Sequence, residues 1–263
     1  MGQPPVSDGS IRQCSFLLLP GSKESFFSHR FSIATSKETG SCIMKLSVLG
    51  ASGQTGQFLV KQALEQGHEV TALVRNVAKL PIQHQNLKVV ETDIFSADQL
   101  SEHFQGQDAI LSCLGFPYRI FSSISGYTDS MKAITAAGRR SNVKHIIVMT
   151  SWFTAPESGQ NASILVRFLL LPLIRSVLTN MYQMENYLKE ECSDLNWTVV
   201  RPPGLQNVPA TDKEILTHEG YFVPDPNGYP ATNSVARGDV ARFMLSLLKT
   251  NEWTRRGVAM CTM

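Results

Sequence analysis

From Met44 onward the apolar positions alternate between two patterns. The segments "KLSVLG" (45–50), "EVTALVR" (69–75), "LKVVETD" (87–93), "DAILSCLG" (108–115), "KHIIVMTS" (144–151) and "WTVVRPP" (197–203) are short, largely apolar runs. Such runs predict strands buried on both faces. Between them the spacing changes to that of helices. Residues 54–66 carry Val60 and Leu64 four apart and stop at Gly67, and "SADQLSEHF" places Ser96 to cap the next helix. Further helices are predicted near 127–140, 180–191 and 237–249, and "GVAMCT" adds a last strand. Strand and helix alternating six times predict an α/β fold: one doubly wound parallel sheet with helices on both faces. No repeat or linker divides residues 44–263, so they form a single domain whose last third builds the substrate side.

Residues 1–43 break the pattern. They hold nine serines and little apolar periodicity, so they are expected to be a disordered leader outside the fold, or sequence upstream of a start at Met44. "SFLLLP" is short for a signal-peptide core, and Val6 stands where a myristoylation motif needs Ser or Thr. Asp8, Glu24 and Glu38 make a poor organellar transit peptide, although targeting by this segment stays open. A second departure is "SILVRFLLLPLIRSVL" (163–178), where Arg167, Pro172 and Arg175 interrupt the apolar run. A membrane span needs roughly twenty apolar residues, so a buried helix or a lid over the cleft is expected, with monotopic membrane contact as the alternative.

Charge and cysteines narrow the function. A net charge of +2 without a Lys/Arg run argues against nucleic acid. Five scattered cysteines, with no C-x-x-C, argue against a zinc site or disulfide framework and predict reduced thiols in a cytoplasmic protein.

The chemistry begins at "GASGQTG". Gly50, Gly53 and Gly56 directly follow a strand and open a helix. A turn of this kind lets a pyrophosphate approach the helix N-terminus, which side chains would block. Gly50, Ser52, Gly53, Gln54, Thr55 and Gly56 are therefore candidate phosphate contacts. The second strand ends in "LVRN". An acid there would favour NAD, whereas Arg75, with Asn76 beside it and Lys79 four residues on, suits the 2′-phosphate of NADP. Asp93 is a candidate for the adenine edge, or a helix cap. Leu114 and Gly115 are candidates for the nicotinamide ribose crevice, or ordinary packing.

Together "GASGQTG", "VTALVRN", "TSWF" and "VVRPPGL" resemble the atypical short-chain dehydrogenase/reductase group, in particular the biliverdin reductase B or flavin reductase type, with NmrA-like NADP-binding proteins behind it. The resemblance covers about 44–261 and is strongest over its first hundred residues. It implies a Rossmann-type fold, NADP as cofactor, and hydride transfer to a flavin, a linear tetrapyrrole or a related planar acceptor. It also implies that Ser151, with Thr150 before it, lies beside the nicotinamide. Two departures concern the acceptor: Glu185 falls where that type has a histidine, and 160–178 has no clear counterpart.

Ordinary short-chain dehydrogenases use a Tyr four residues before a Lys, and none of the six tyrosines here has one. A conjugated acceptor needs no such acid, because it spreads the incoming charge and solvent can protonate it. Ser151 is then the candidate catalytic residue, acting by orientation. Trp152 and Phe153 are candidates for stacking on the acceptor, with Leu205 beside them, although aromatics at such a place are as readily core. His145 is expected to be core. The competing function is a non-catalytic NADP sensor that binds a protein partner; a sugar-nucleotide epimerase is weaker without the tyrosine.

Overall fold

The computed structural model describes residues 29–31, 42–116 and 124–263. Its sheet begins with β1 (His29–Phe31), β2 (Lys45–Leu49), β3 (Glu69–Val74), β4 (Leu87–Glu91), β5 (Ala109–Ser112), β6 (His145–Met149) and β7 (Asn196–Arg201). The short β8 (Gly204–Gln206), β9 (Ile215–His218), β10 (Ser234–Ala236) and β11 (Arg256–Thr262) complete the strands. Five helices connect them: α1 (Gln54–Glu65), α2 (Ala97–Phe104), α3 (Gly126–Arg140), α4 (Leu171–Glu191) and α5 (Arg237–Ser246).

The main sheet runs β1-β9-β11-β7-β6-β5-β2-β3-β4. From β4 to β11 all pairs are parallel, with Leu46 opposite both Val70 and Ala109. Only β9 and β1, at one edge, are antiparallel. This is the Rossmann-type arrangement, and it follows from the helical crossovers, which return each strand in the same direction.

Alternation along the central strands divides the core in two. Leu46, Val48, Leu111, Ile147 and Val200 face α1 and α5, meeting Leu59, Val60, Phe243 and Met244. Ile110, Ile146, Val148 and Val199 face the other way, onto Leu100, Met131, Ile134, Met184 and Leu188 of α2, α3 and α4. A one-residue slip would exchange the two faces, so the register is tightly specified.

Local chemistry explains the helix starts. The Ser96 hydroxyl accepts from Gln99 N at 3.3 Å, the cap expected of it. The N-terminus of α3 has no cap of its own; Asn180 of α4 accepts from Tyr127 N at 2.9 Å instead. That bond fixes α4 against α3.

Three expectations change. The helix predicted near 180–191 starts at Leu171, after a π-helical turn, Val166–Leu170. The 163–178 stretch is not a buried helix: Ile164 is 80% and Phe168 69% exposed, although Leu171, Ile174 and Val177 do pack inward. And β1 lies within residues 1–43, expected to stay outside the fold, yet pairs with β9. The rest of that leader up to residue 41, with Cys14, lies outside the described residues, as does Tyr118. Among the described residues no helix is long and apolar enough to cross a membrane.

Candidate functional site

A cavity of about 640 Å³ opens at the carboxyl ends of β2, β3, β5 and β6. This is where open α/β sheets take their ligands. The glycine turn forms its floor. Gly50 adopts φ +74°, and a Cβ there would stand 2.6 Å from the Cys113 carbonyl oxygen. A Cβ at Gly56 would collide with the Gly50 carbonyl, so Gly56 brings α1 against the turn and does not line the cavity. Gly53 N donates to Gly50 O at 2.9 Å. The first turn of α1 has no side-chain cap and no acid. Its free N–H groups and the positive end of its dipole are available to an anion.

Most of the cofactor candidates meet in this cavity. Gly50, Ser52, Gly53, Gln54 and Thr55 line it with Arg75 and Lys79; Leu114, Gly115, Thr150, Ser151 and Leu205 also line it. Asn76 does not. Its side-chain oxygen accepts from Ala78 N at 2.9 Å and caps the short turn that carries Lys79. Asp93 is also outside the lining; its carboxylate accepts from Phe95 N at 3.0 Å in the turn before α2, and the cap of α2 is Ser96 rather than Asp93.

One cation was not anticipated. Arg237, at the start of α5, also lines the cavity and donates to Thr55 Oγ1 at 3.2 Å. Its Nε is buried without a partner, and burial lowers its pKa from the ordinary arginine value. A desolvated guanidinium with no carboxylate partner is an anion site. The signal was weak in the sequence, because Arg237 lies far along the chain from the turn it serves.

Thr150, next to Ser151, rests on a buried charge network. Glu185 of α4 accepts from Thr150 Oγ1 at 2.9 Å and Thr154 Oγ1 at 3.2 Å. Its other oxygen takes two bonds from Arg201 of β7, at 2.8 and 3.2 Å. Arg201 also donates to the carbonyls of Glu219 and Gly220 and stacks 4.2 Å from the Tyr221 ring centroid. Gly257 of β11 leaves the room: a Cβ there would collide with the guanidinium. The sequence had placed Glu185 where a relative has histidine. The structure puts it behind Thr150, 5% exposed and outside the cavity lining. Arg201, in "VVRPP", was missed; a lone charge inside an apolar strand was the available signal.

The stacking candidates separate from the cleft. Trp152 is 2% exposed and packs with Leu216, Val223 and Phe222, so its ring has no free face; the expected acceptor contact is corrected to core packing. Phe153 takes φ +61° and turns away to a second cavity of about 340 Å³, shared with Thr154, Arg167 and Arg175. The cavity wall near Ser151 is instead aliphatic: Ile174, Val177, Leu178 and Met181 of α4. Tyr127 also lines the cleft, and its hydroxyl accepts from Phe116 N at 3.3 Å; burial raises its pKa.

Other reactive groups are quiet. Burial pushes the Cys113 thiol up to about 12, which removes it as a nucleophile at neutral pH. No group of three metal-ligating side chains is found among the described residues. His145 is half-buried, with its pKa lowered by burial, as a packed strand residue would be.

Comparison with known proteins fits this geometry. A family model described as NAD(P)H-binding matches residues 50–251. An uncharacterized chloroplastic protein of Arabidopsis thaliana is 29% identical over 218 residues, 79% of this chain and 73% of the relative. The photosystem II assembly factor Ycf39 of Trieres chinensis is 24% identical over 215 residues, 81% of this chain but only 62% of that protein. Among solved structures, a Streptococcus pneumoniae protein provisionally described as an NADH-flavin reductase superposes with TM-score 0.64 at 19% identity, covering 84% of this chain and all of its own. A short-chain dehydrogenase/reductase of Veillonella parvula in complex with NADP gives the same score at 18% identity, covering 83% and 94%. At such identities these structures speak for the fold alone. The family match spans most of the chain and falls on the glycine turn and its cleft: the protein belongs to the NAD(P)H-binding family.

Proposed function

We propose that the protein is an NADPH-dependent reductase that passes a hydride to a flavin, a biliverdin-like tetrapyrrole or a similar planar conjugated acceptor. The observation that carries this reading is the lining of the cleft of about 640 Å³. It joins Arg75 and Lys79, which follow β3, to Ser151, which follows β6 with β2 and β5 between, and adds an aliphatic wall from α4.

Each residue has a defined task. The N–H groups opening α1 receive the pyrophosphate, with Arg237 in the same cleft. Arg75 and Lys79 bind the 2′-phosphate and set the preference for NADPH. When bound, the nicotinamide supplies the hydride. Ser151 orients nicotinamide and acceptor by hydrogen bonding, and Ile174, Val177 and Leu178 exclude water from the reacting faces. Ser151 is not a nucleophile, since no base among the described residues hydrogen-bonds to it. The proton that completes the reduction comes from solvent.

A second reading is a non-catalytic NADP(H) sensor acting through a protein partner. The likeness to an assembly factor favours it. Steady NADPH oxidation on adding FMN or riboflavin separates the two. Residence is also open to test. Reduced thiols favour the cytoplasm, whereas the chloroplastic relative favours organellar targeting by residues 1–43; a fluorescent fusion of the full chain distinguishes them.

A further inference from the structure

We infer that the exposed apolar face of the helix at residues 164–173 docks on an anionic lipid surface. The inference is independent of the reductase reading. Ile164 (80%), Leu165 (69%), Phe168 (69%), Leu169 (56%) and Leu173 (49%) all face solvent. Leu170 (47%) is exposed as well, so the first turns present apolar side chains around most of their circumference, while Leu171, Ile174 and Val177 further along pack into the core. The helix is thus anchored by its later turns, and its first turns offer apolar surface that the fold does not use. Isolated exposed apolar residues are ordinary, but a contiguous group of this size marks an interaction site.

Charge identifies the occupant. From residue 158 to 184 the chain has no Asp or Glu and two cations, Arg167 and Arg175. Both are exposed, and neither forms an ion pair among the described residues. The Arg167 guanidinium lies 5.3 Å from the Phe168 ring centroid, so positive charge sits at the edge of the apolar face. Apolar side chains beside arginines that have no carboxylate partner, Arg167 donating to the Gln160 carbonyl at 3.4 Å, match the boundary of a bilayer with anionic headgroups: the side chains enter the acyl region and the arginines stay at phosphate level. A second copy fits less well. A symmetric contact on this face would bring four arginines together with no acid within the segment to offset them. Contact is monotopic, since no described helix can span a bilayer.

The test is vesicle flotation of the full chain. Vesicles of phosphatidylcholine alone are compared with vesicles of phosphatidylcholine and phosphatidylglycerol in equal parts. The parent protein should float with the anionic vesicles and bind the neutral ones about tenfold less. The variant Leu165→Ser/Phe168→Ser/Leu169→Ser should lose about tenfold or more of its binding at unchanged melting temperature, because these side chains contribute little to the core. Should that variant not fold, Phe168→Trp decides. The native Trp152, Trp197 and Trp253 are 2%, 5% and 5% exposed, so brominated phosphatidylglycerol should quench the introduced indole well beyond the parent signal. Three outcomes overturn the inference: no flotation of the parent, flotation of the triple variant equal to the parent's, or no added quenching of the indole. A parent dimer that Phe168→Ser dissociates, without vesicle binding, would assign the face to a second copy.

Discussion

Glu185 and Arg201 form a buried ion pair at 2.8 Å directly behind Thr150, with both side chains less than a tenth exposed. The pair ties α4 to β7, and through the Thr150 and Thr154 hydroxyls it holds the loop that carries Ser151. Two buried charges are tolerated here because nearly every lone pair and N–H is used.

Removing Arg201 leaves Glu185 charged and buried with only the Thr150 and Thr154 hydroxyls to offset it. Arg201→Met should therefore destabilise the protein by about 3–5 kcal/mol. The double variant Glu185→Leu/Arg201→Met should recover part of that loss, because the stranded charge disappears. Urea denaturation of the two variants checks this; a double variant less stable than Arg201→Met contradicts it.

Arg75, after β3, and Arg237, at the start of α5, both line the cleft and should separate by cofactor. Arg75→Ala should weaken NADPH binding roughly tenfold or more, the worth of one charge-assisted contact of about 1.5–3 kcal/mol, and leave NADH nearly unchanged. Arg237→Met should weaken NADPH and NADH alike, also roughly tenfold, because the pyrophosphate is common to both. Titration calorimetry with both nucleotides measures the contrast. Equal losses for both at Arg75 would remove the 2′-phosphate assignment.

Stability should fall on mild acidification. His68 is 1% exposed, and its Nδ1 accepts from Met44 N at 3.1 Å. Burial, and then the charge of Lys249, lower its pKa below the ordinary 6.5. The folded protein thus resists a proton that the unfolded chain accepts. The stabilising contribution is complete above about pH 6.5 and is lost as pH falls through the depressed folded value. His218 adds in the same direction. Thermal melts between pH 8 and pH 5 should show this decline, and His68→Gln should flatten it; an unchanged slope would assign the decline to other groups.

Ser151→Ala should lower turnover with a flavin by about ten- to a hundredfold, corresponding to roughly 1.4–2.7 kcal/mol for one orienting contact. NADPH affinity should change much less, since the proposed phosphate contacts are Arg75, Lys79 and the first turn of α1. Full turnover in the variant would return Ser151 to a strand-end hydroxyl.

The sheet was legible because its strands are buried on both faces, which leaves apolar runs such as "IIVM" that few other structures explain. The glycine turn was legible because a backbone constraint leaves its residues adjacent in sequence. What escaped depends on tertiary approach. Arg237 reaches Thr55 from 182 residues away, and nothing local marks it. Glu185 and Arg201 belong to different elements, and their pairing exists only once α4 lies over β7. Trp152 and Phe153 were read together as facing the cleft, but both pack with Phe222 in a separate aromatic cluster, and only Phe153 also reaches the second cavity. The exposed face of 164–173 reads in sequence like a core helix, because hydropathy alone does not say which side of an apolar helix the fold will use.

The most direct test of the account is the oxidation of NADPH by the purified full-length protein, followed at the nicotinamide absorbance with FMN, riboflavin and biliverdin supplied in turn. Sustained, enzyme-dependent turnover with at least one of these acceptors, slower with NADH and slowed again by Ser151→Ala, is the expected result. Tight NADPH binding with no oxidation by any acceptor would contradict the reductase and leave the nucleotide sensor in its place.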